Sequence, residues 1–188
     1  HMLFLGTKKY PSENHYSKFI QKHGGMKNAA TGEDYTYYYF DVKNDQFPQA
    51  VDIFSQFFKD PLFTESATER ELNAIENEYR KNLTNEQRAC SQIEKNYISV
   101  PGSRLDRFGT GCLETLKIDN IRDELKKFYG KHYSSNLMSL VLVSRSSLDE
   151  LEALTTENFK EVENKDLPEK DFSDEICFDK EHSFGRIF

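Results

Sequence analysis

No stretch of this 188-residue sequence approaches the roughly 18 consecutive apolar residues that a membrane-crossing helix needs. The longest apolar run, residues 137–143, has the length of a strand. The chain does not open on a basic segment followed by an apolar one, the pattern of a secretory leader. Cysteine is scarce: Cys90, Cys112 and Cys177 are an odd, widely spaced set without C-x-x-C. That excludes a disulfide framework and a thiolate zinc centre, and it fits a reducing, cytoplasmic compartment. Basic residues are outnumbered, 25 against 32 acidic, for a net charge of −7. Phosphate backbones are bound by clustered Lys and Arg, so nucleic acid is not an expected partner, and no membrane span is expected. Internal repeats and low-complexity tracts are absent as well. What the chain does have is 37% hydrophobic residues, among them 15 Phe and 10 Tyr, against 30% charged. This is material for one domain with a real core and a water-facing surface.

Hydrophobic spacing divides the chain into alternating element types. Tyr16, Phe19 and Ile20 predict a short helix over residues 12–23, stopped by Gly24-Gly25. The aromatic run of residues 35–42 predicts a strand, in which residues 35–40 serve core and sheet face. Phe47, Ala50, Val51, Phe54, Phe57 and Phe58 repeat as an amphipathic helix that ends near Pro61. A capping box, Ser66-x-x-Glu69, predicts the start of the next helix. With no Gly or Pro before Pro101, that helix is expected to reach Tyr97. Residues 101–111 read as a loop, Asp119 as the cap of a helix carrying Ile121, Leu125, Phe128 and Tyr129, and residues 137–143 as a buried strand. Ser147-x-x-Glu150 opens a last helix, through about Phe159. The fold class that follows is α+β, with helices on one face of a largely antiparallel sheet.

Glu71 and Glu78 are seven residues apart, about 20° around a helix, with Ala74 and Ile75 between them, so both carboxylates are expected beside packing residues. Buried carboxylates need partners, and a divalent metal is one. By itself an acidic helix face is more often solvated. The ordered set is more specific: His1-Met2-Leu3-Phe4-Leu5-Gly6-Thr7, then Arg70-Glu71-Leu72-Asn73-Ala74-Ile75-Glu76-Asn77-Glu78, then Phe108-Gly109-Thr110-Gly111, then Tyr133-Ser134-Ser135-Asn136-Leu137-Met138. These segments resemble, in order, the pitrilysin (M16) family of zinc metallopeptidases with an inverted H-x-x-E-H motif, and its insulysin branch in particular.

The resemblance implies that His1 is the last His of that motif and that the first His and the general-base Glu lie upstream of this sequence. It implies Zn2+ as cofactor, with His1 and Glu78 as ligands and Glu71 as an acidic residue that orients or tunes the site. Asn28, Ala29 and Ala30 align with the family's edge strand, which binds extended peptides through main-chain hydrogen bonds. The family more often has a bulky residue at the position of Ala30. Proline at Ala30 is accordingly expected to remove a donor used by substrate. His15, His23, His132 and His182 match no ligand position and read as structural. The implied activity is hydrolysis of short peptides by zinc-activated water, with the isolated chain inactive for want of the upstream residues. Implied partners are peptide substrates and further domains of the same polypeptide. Residues 1–165 are expected to form part of the zinc-bearing domain, and residues 166–188 a connector whose end starts a strand. Two other readings are a non-catalytic family member acting as a structural or interaction subunit, disfavoured by the presence of both glutamates, and an acidic protein-binding domain, disfavoured by the ordered motifs.

Overall fold

The computed structural model describes residues 1–179 and 181. Among them are seven helices and one two-stranded antiparallel sheet, an α+β chain. In order these are α1 (His15–Lys22), β1 (Lys27–Thr31), β2 (Thr36–Phe40), α2 (Phe47–Ser55), α3 (Glu65–Leu83), α4 (Glu86–Ile98), α5 (Leu113–Leu116), α6 (Ile121–His132) and α7 (Leu148–Phe159). Two compact units divide the chain: residues 1–68 with 122–167, and residues 69–121 with 168–188.

The first unit is held by an aromatic core. Tyr16, Phe19 and Ile20 of α1 face Ala50, Ile53 and Phe54 of α2 and Phe57 just beyond it, all buried together. Tyr16 meets Phe57 edge to face at 4.9 Å and stacks on Phe4 at 5.9 Å. Such ring geometries add about 0.5–1.5 kcal/mol per pair to the burial itself. α1 ends where Gly24 adopts a φ of +70°, and a Cβ on Gly25 would lie 2.0 Å from the Asp41 carbonyl. The chain therefore turns directly into β1. Residues 27–31 pair with 40–36 in register. Alternation along β2 turns Tyr38 and Phe40 toward the core, while Tyr35, Tyr37 and Tyr39 are 60%, 50% and 41% exposed. The expectation that the aromatic run serves core and sheet face thus holds, with every second residue turned to the core as a period of two requires. Tyr129 of α6 closes the unit by donating to the Phe57 carbonyl, and Tyr38 and Tyr133 share a hydroxyl–hydroxyl bond of 2.6 Å.

Four expected boundaries are corrected. Thr64 performs the cap of α3, its hydroxyl accepting from Ala67 N–H, while Ser66 lies inside the helix and donates to Glu13. The expected long helix ends at Leu83. Asn85 then accepts from Arg88 N–H and starts α4, so a side-chain cap broke the helix without Gly or Pro. α6 begins at Ile121, which leaves Asn120 in the position assigned to Asp119. Residues 138–143 are not a buried strand. No ladder partner is found among the described residues, and Val141 and Val143 are 84% and 83% exposed. Apolar, extended sequence becomes sheet only when another strand accepts its hydrogen bonds. α7 follows its sequence signal: Ser147 and Glu150 form the reciprocal capping box.

In the second unit, Tyr79 packs edge to face on Phe108, and Asn82 donates to Thr110 at 2.7 Å. Both contacts hold the 108–111 loop against α3. Arg104 lies over the Phe172 ring and beside Glu175. The strand expected at the end of the chain lies outside the described residues. No helix among those described is long and apolar enough to cross a membrane.

Candidate metal and peptide site

His1 precedes a single 3-10 turn, Met2–Phe4, and is exposed. The turn is anchored because Met2 and Leu3 are buried. Beyond it, Gly6 takes a φ of +89°, where a Cβ would stand 2.9 Å from the Pro11 carbonyl. Gly6 accepts from Leu62 N–H, and Thr7 donates its N–H to Tyr10 and bridges Pro61. The heptapeptide is thus a packed staple that fixes the backbone immediately after His1.

Glu71 and Glu78 both lie on α3, as their spacing predicts. Their surroundings differ from expectation: Glu71 and Ile75 are half-buried, whereas Ala74 and Glu78 are exposed. An exposed carboxylate keeps its hydration, so folding alone demands no cation at Glu78. His1 belongs to the first unit, Glu71 and Glu78 to the second. Among the described residues, no group of three or more His, Cys, Asp or Glu is gathered as a metal centre. One imidazole and one carboxylate are nonetheless donors of the kind zinc takes, two in number where a catalytic zinc needs three protein ligands. The donor set fits zinc in part.

The other histidines have local roles. His15 stacks on Tyr10 at 4.6 Å, the His23 ring bonds the Phe19 carbonyl, and His132 packs on Phe128. His182 lies outside the described residues.

Asn28, Ala29 and Ala30 form the middle of β1, whose other edge meets no strand among the described residues. Gly32 N–H donates to Tyr35 and Asp41 N–H to Met26. Directly opposed residues alternate between bonded and non-bonded pairs. By that alternation the Ala30–Tyr37 and Asn28–Tyr39 pairs bond inward, while Lys27, Ala29 and Thr31 turn their N–H and C=O groups to the open edge. This corrects the proline expectation: Ala30 N–H serves the hairpin, and Ala29 N–H is the donor available to a partner. The Asn28 side chain already occupies that donor, its carbonyl accepting from Ala29 N–H at 2.9 Å. The aromatic run read as core and sheet face supplies an exposed tyrosine face beside this edge. Its signal was the Thr31-Gly32-Glu33-Asp34-Tyr35 turn, which sets the alternation.

Ionisable groups support the frame. Burial tends to raise the Asp52 carboxyl, but hydrogen bonds from Lys9 and Tyr10, then the Lys9 charge and Gln56, leave it below its ordinary value. The Glu76 carboxyl is also held low, first by the Leu113 N–H and then by Arg80.

Comparison with known proteins adds the family. The profile described as Insulinase (Peptidase family M16) matches residues 1–100, and that described as Peptidase M16 inactive domain matches residues 120–186. An insulin-degrading enzyme of Bos taurus is 45% identical across 97% of this chain and 18% of its own length. A putative zinc protease of Schizosaccharomyces pombe is 42% identical across 96% of this chain and 19% of its own. A crystal structure of pitrilysin superposes with a TM-score of 0.85 at 32% identity, covering 94% of this chain and 19% of that one. The chain spans about a fifth of the length of these relatives.

Proposed function

Because the chain belongs to the peptidase M16 family, we propose that it is part of the zinc-bearing domain of an insulysin-type metalloendopeptidase that hydrolyses short peptides. The observation that carries this reading is the family match over residues 1–100, the segment that contains His1, Asn28, Ala29, Ala30, Glu71 and Glu78. Residues 1–165 are read as the partial domain and residues 166–188 as a connector. Further domains of the same polypeptide are partners, and the three free cysteines fit a cytoplasmic setting.

When bound, zinc supplies the Lewis acidity that amide hydrolysis needs. His1 offers an imidazole nitrogen to it and Glu78 a carboxylate oxygen, while Glu71 orients the ligands. The open edge of β1 holds the peptide extended: Ala29 N–H donates to a substrate carbonyl and Ala29 C=O accepts from a substrate N–H. Asn28 must release Ala29 N–H for this to occur, so its side chain guards the edge until substrate arrives. The proton acceptor of the reaction is assigned to the Glu of the H-x-x-E-H motif, not to a residue of this chain.

The test is cleavage of a quenched-fluorescent peptide by the longer polypeptide with H-x-x-E preceding His1. Chelator-sensitive, zinc-restored cleavage supports the reading. A longer polypeptide in which other residues precede His1, and which cleaves nothing, supports a structural subunit instead.

A further inference from the structure

We infer that one buried water molecule joins α1 to the heptapeptide staple, held by the Nε2 atom of His15 and the hydroxyl of Tyr16. The inference does not depend on the proposed activity.

In the first unit, His15 Nε2 and the Tyr16 hydroxyl are shielded from solvent, and neither has a hydrogen-bond partner among the described residues. They belong to consecutive residues at the start of α1, and both side chains line one small cavity between that helix and the staple. The surroundings explain why side chains nearby do not serve them. Phe4, Ile53 and Phe57, which share the cavity wall, have apolar side chains. The imidazole is stacked on Tyr10 at 4.6 Å. The Tyr16 ring is wedged between Phe4, stacked at 5.9 Å, and Phe57, edge to face at 4.9 Å, so its hydroxyl cannot swing out to solvent. Nearly all buried polar groups of folded proteins find a partner, protein or water. The cavity offers about 10 Å³ to the centre of a water molecule, room for one water and for nothing larger. A third group is at hand. Thr7 lines the same cavity and is 1% exposed. Its hydroxyl oxygen accepts from Tyr10 N–H at 3.2 Å and keeps a proton to donate. Three partners are the usual complement of an internal water, whereas a purely apolar cavity stays dry. Water both donates and accepts, so it suits either tautomer of His15. Burial pushes the Tyr16 hydroxyl up from its ordinary value, so that group keeps its proton and donates. Because Thr7 belongs to the staple and His15 and Tyr16 to α1, the water is a polar link between the two.

The experiment is oxygen-17 relaxation dispersion on the 188-residue chain, which counts waters held inside a protein, with a crystal structure of the same chain to place them. One ordered water within hydrogen-bond distance of both His15 Nε2 and the Tyr16 hydroxyl is expected. The double variant His15→Phe, Tyr16→Phe keeps an aromatic ring at each position and removes both polar atoms. It should lose one long-lived water from the count. The amide of Thr7, which donates to Tyr10, should then exchange its hydrogen faster, while that of Leu151 in α7 keeps its rate. A count that stays the same in the double variant would overturn the inference. A water lost from the count with Thr7 exchange unaltered would overturn the link to the staple. Should the double variant fail to fold, the parent structure decides alone. An empty cavity, a water touching only one of the two atoms, or a direct bond between His15 and Tyr16 would each sink the proposal.

Discussion

Ala29 and Ala30 are adjacent alanines in one strand, yet proline should act on them in opposite ways. Proline at Ala29 removes a donor that faces the open edge, where strands tolerate it, so the hairpin should persist while peptide binding is lost. Proline at Ala30 removes a ladder bond to Tyr37 and should unpair β1 from β2. Circular dichroism and peptide titration on the two variants separate these outcomes, and equal behaviour would contradict the assigned alternation. The glutamates differ similarly in the active polypeptide. Glu71→Gln should slow turnover about 10- to 100-fold with zinc retained, as for groups that orient ligands. The residues proposed for this site follow from the order of the motifs that carry the family resemblance. The direction of each main-chain group was not, because it depends on which pairs of the hairpin are bonded. The half-burial of Glu71 beside an exposed Glu78 also escaped the periodicity, which fixes angle around a helix and says nothing about what covers it.

At the scale of elements, side-chain caps decided what Gly and Pro could not. The α3–α4 break at Asn85 was invisible to a search for backbone breakers, although Asn is among the strongest N-caps. Asn85→Ala should therefore lower stability by about 1 kcal/mol, seen in a denaturant midpoint. The Phe57 side chain, 1% exposed where α1, α2 and Phe4 converge, was read correctly from spacing alone. Phe57→Ala should cost about 3–5 kcal/mol. Glu76 ties α3 to the start of α5. Its folded carboxyl is lowered relative to the unfolded one, so its contribution is present above the ordinary carboxylate range and lost as pH falls below that range. The Leu113 amide resonance should follow that titration, and Glu76→Gln should remove the pH dependence.

For the whole molecule, the α+β class and most of the helices were readable, because aromatic periodicity in residues 16–58 is strong. The sheet was not. Residues 138–143 have the composition of a buried strand, but composition cannot supply a ladder partner, and exposed Val141 and Val143 record the difference. The assignment of His1 and Glu78 to zinc, proposed from the family, is the central claim. Its most direct test is zinc content, with chelator-sensitive peptide cleavage, of the longer polypeptide carrying H-x-x-E before His1, compared with its Glu78→Gln variant. Bound zinc and cleavage are expected in the parent, and loss of both in the variant. A Glu78→Gln protein that keeps its zinc and its chelator-sensitive activity would contradict it.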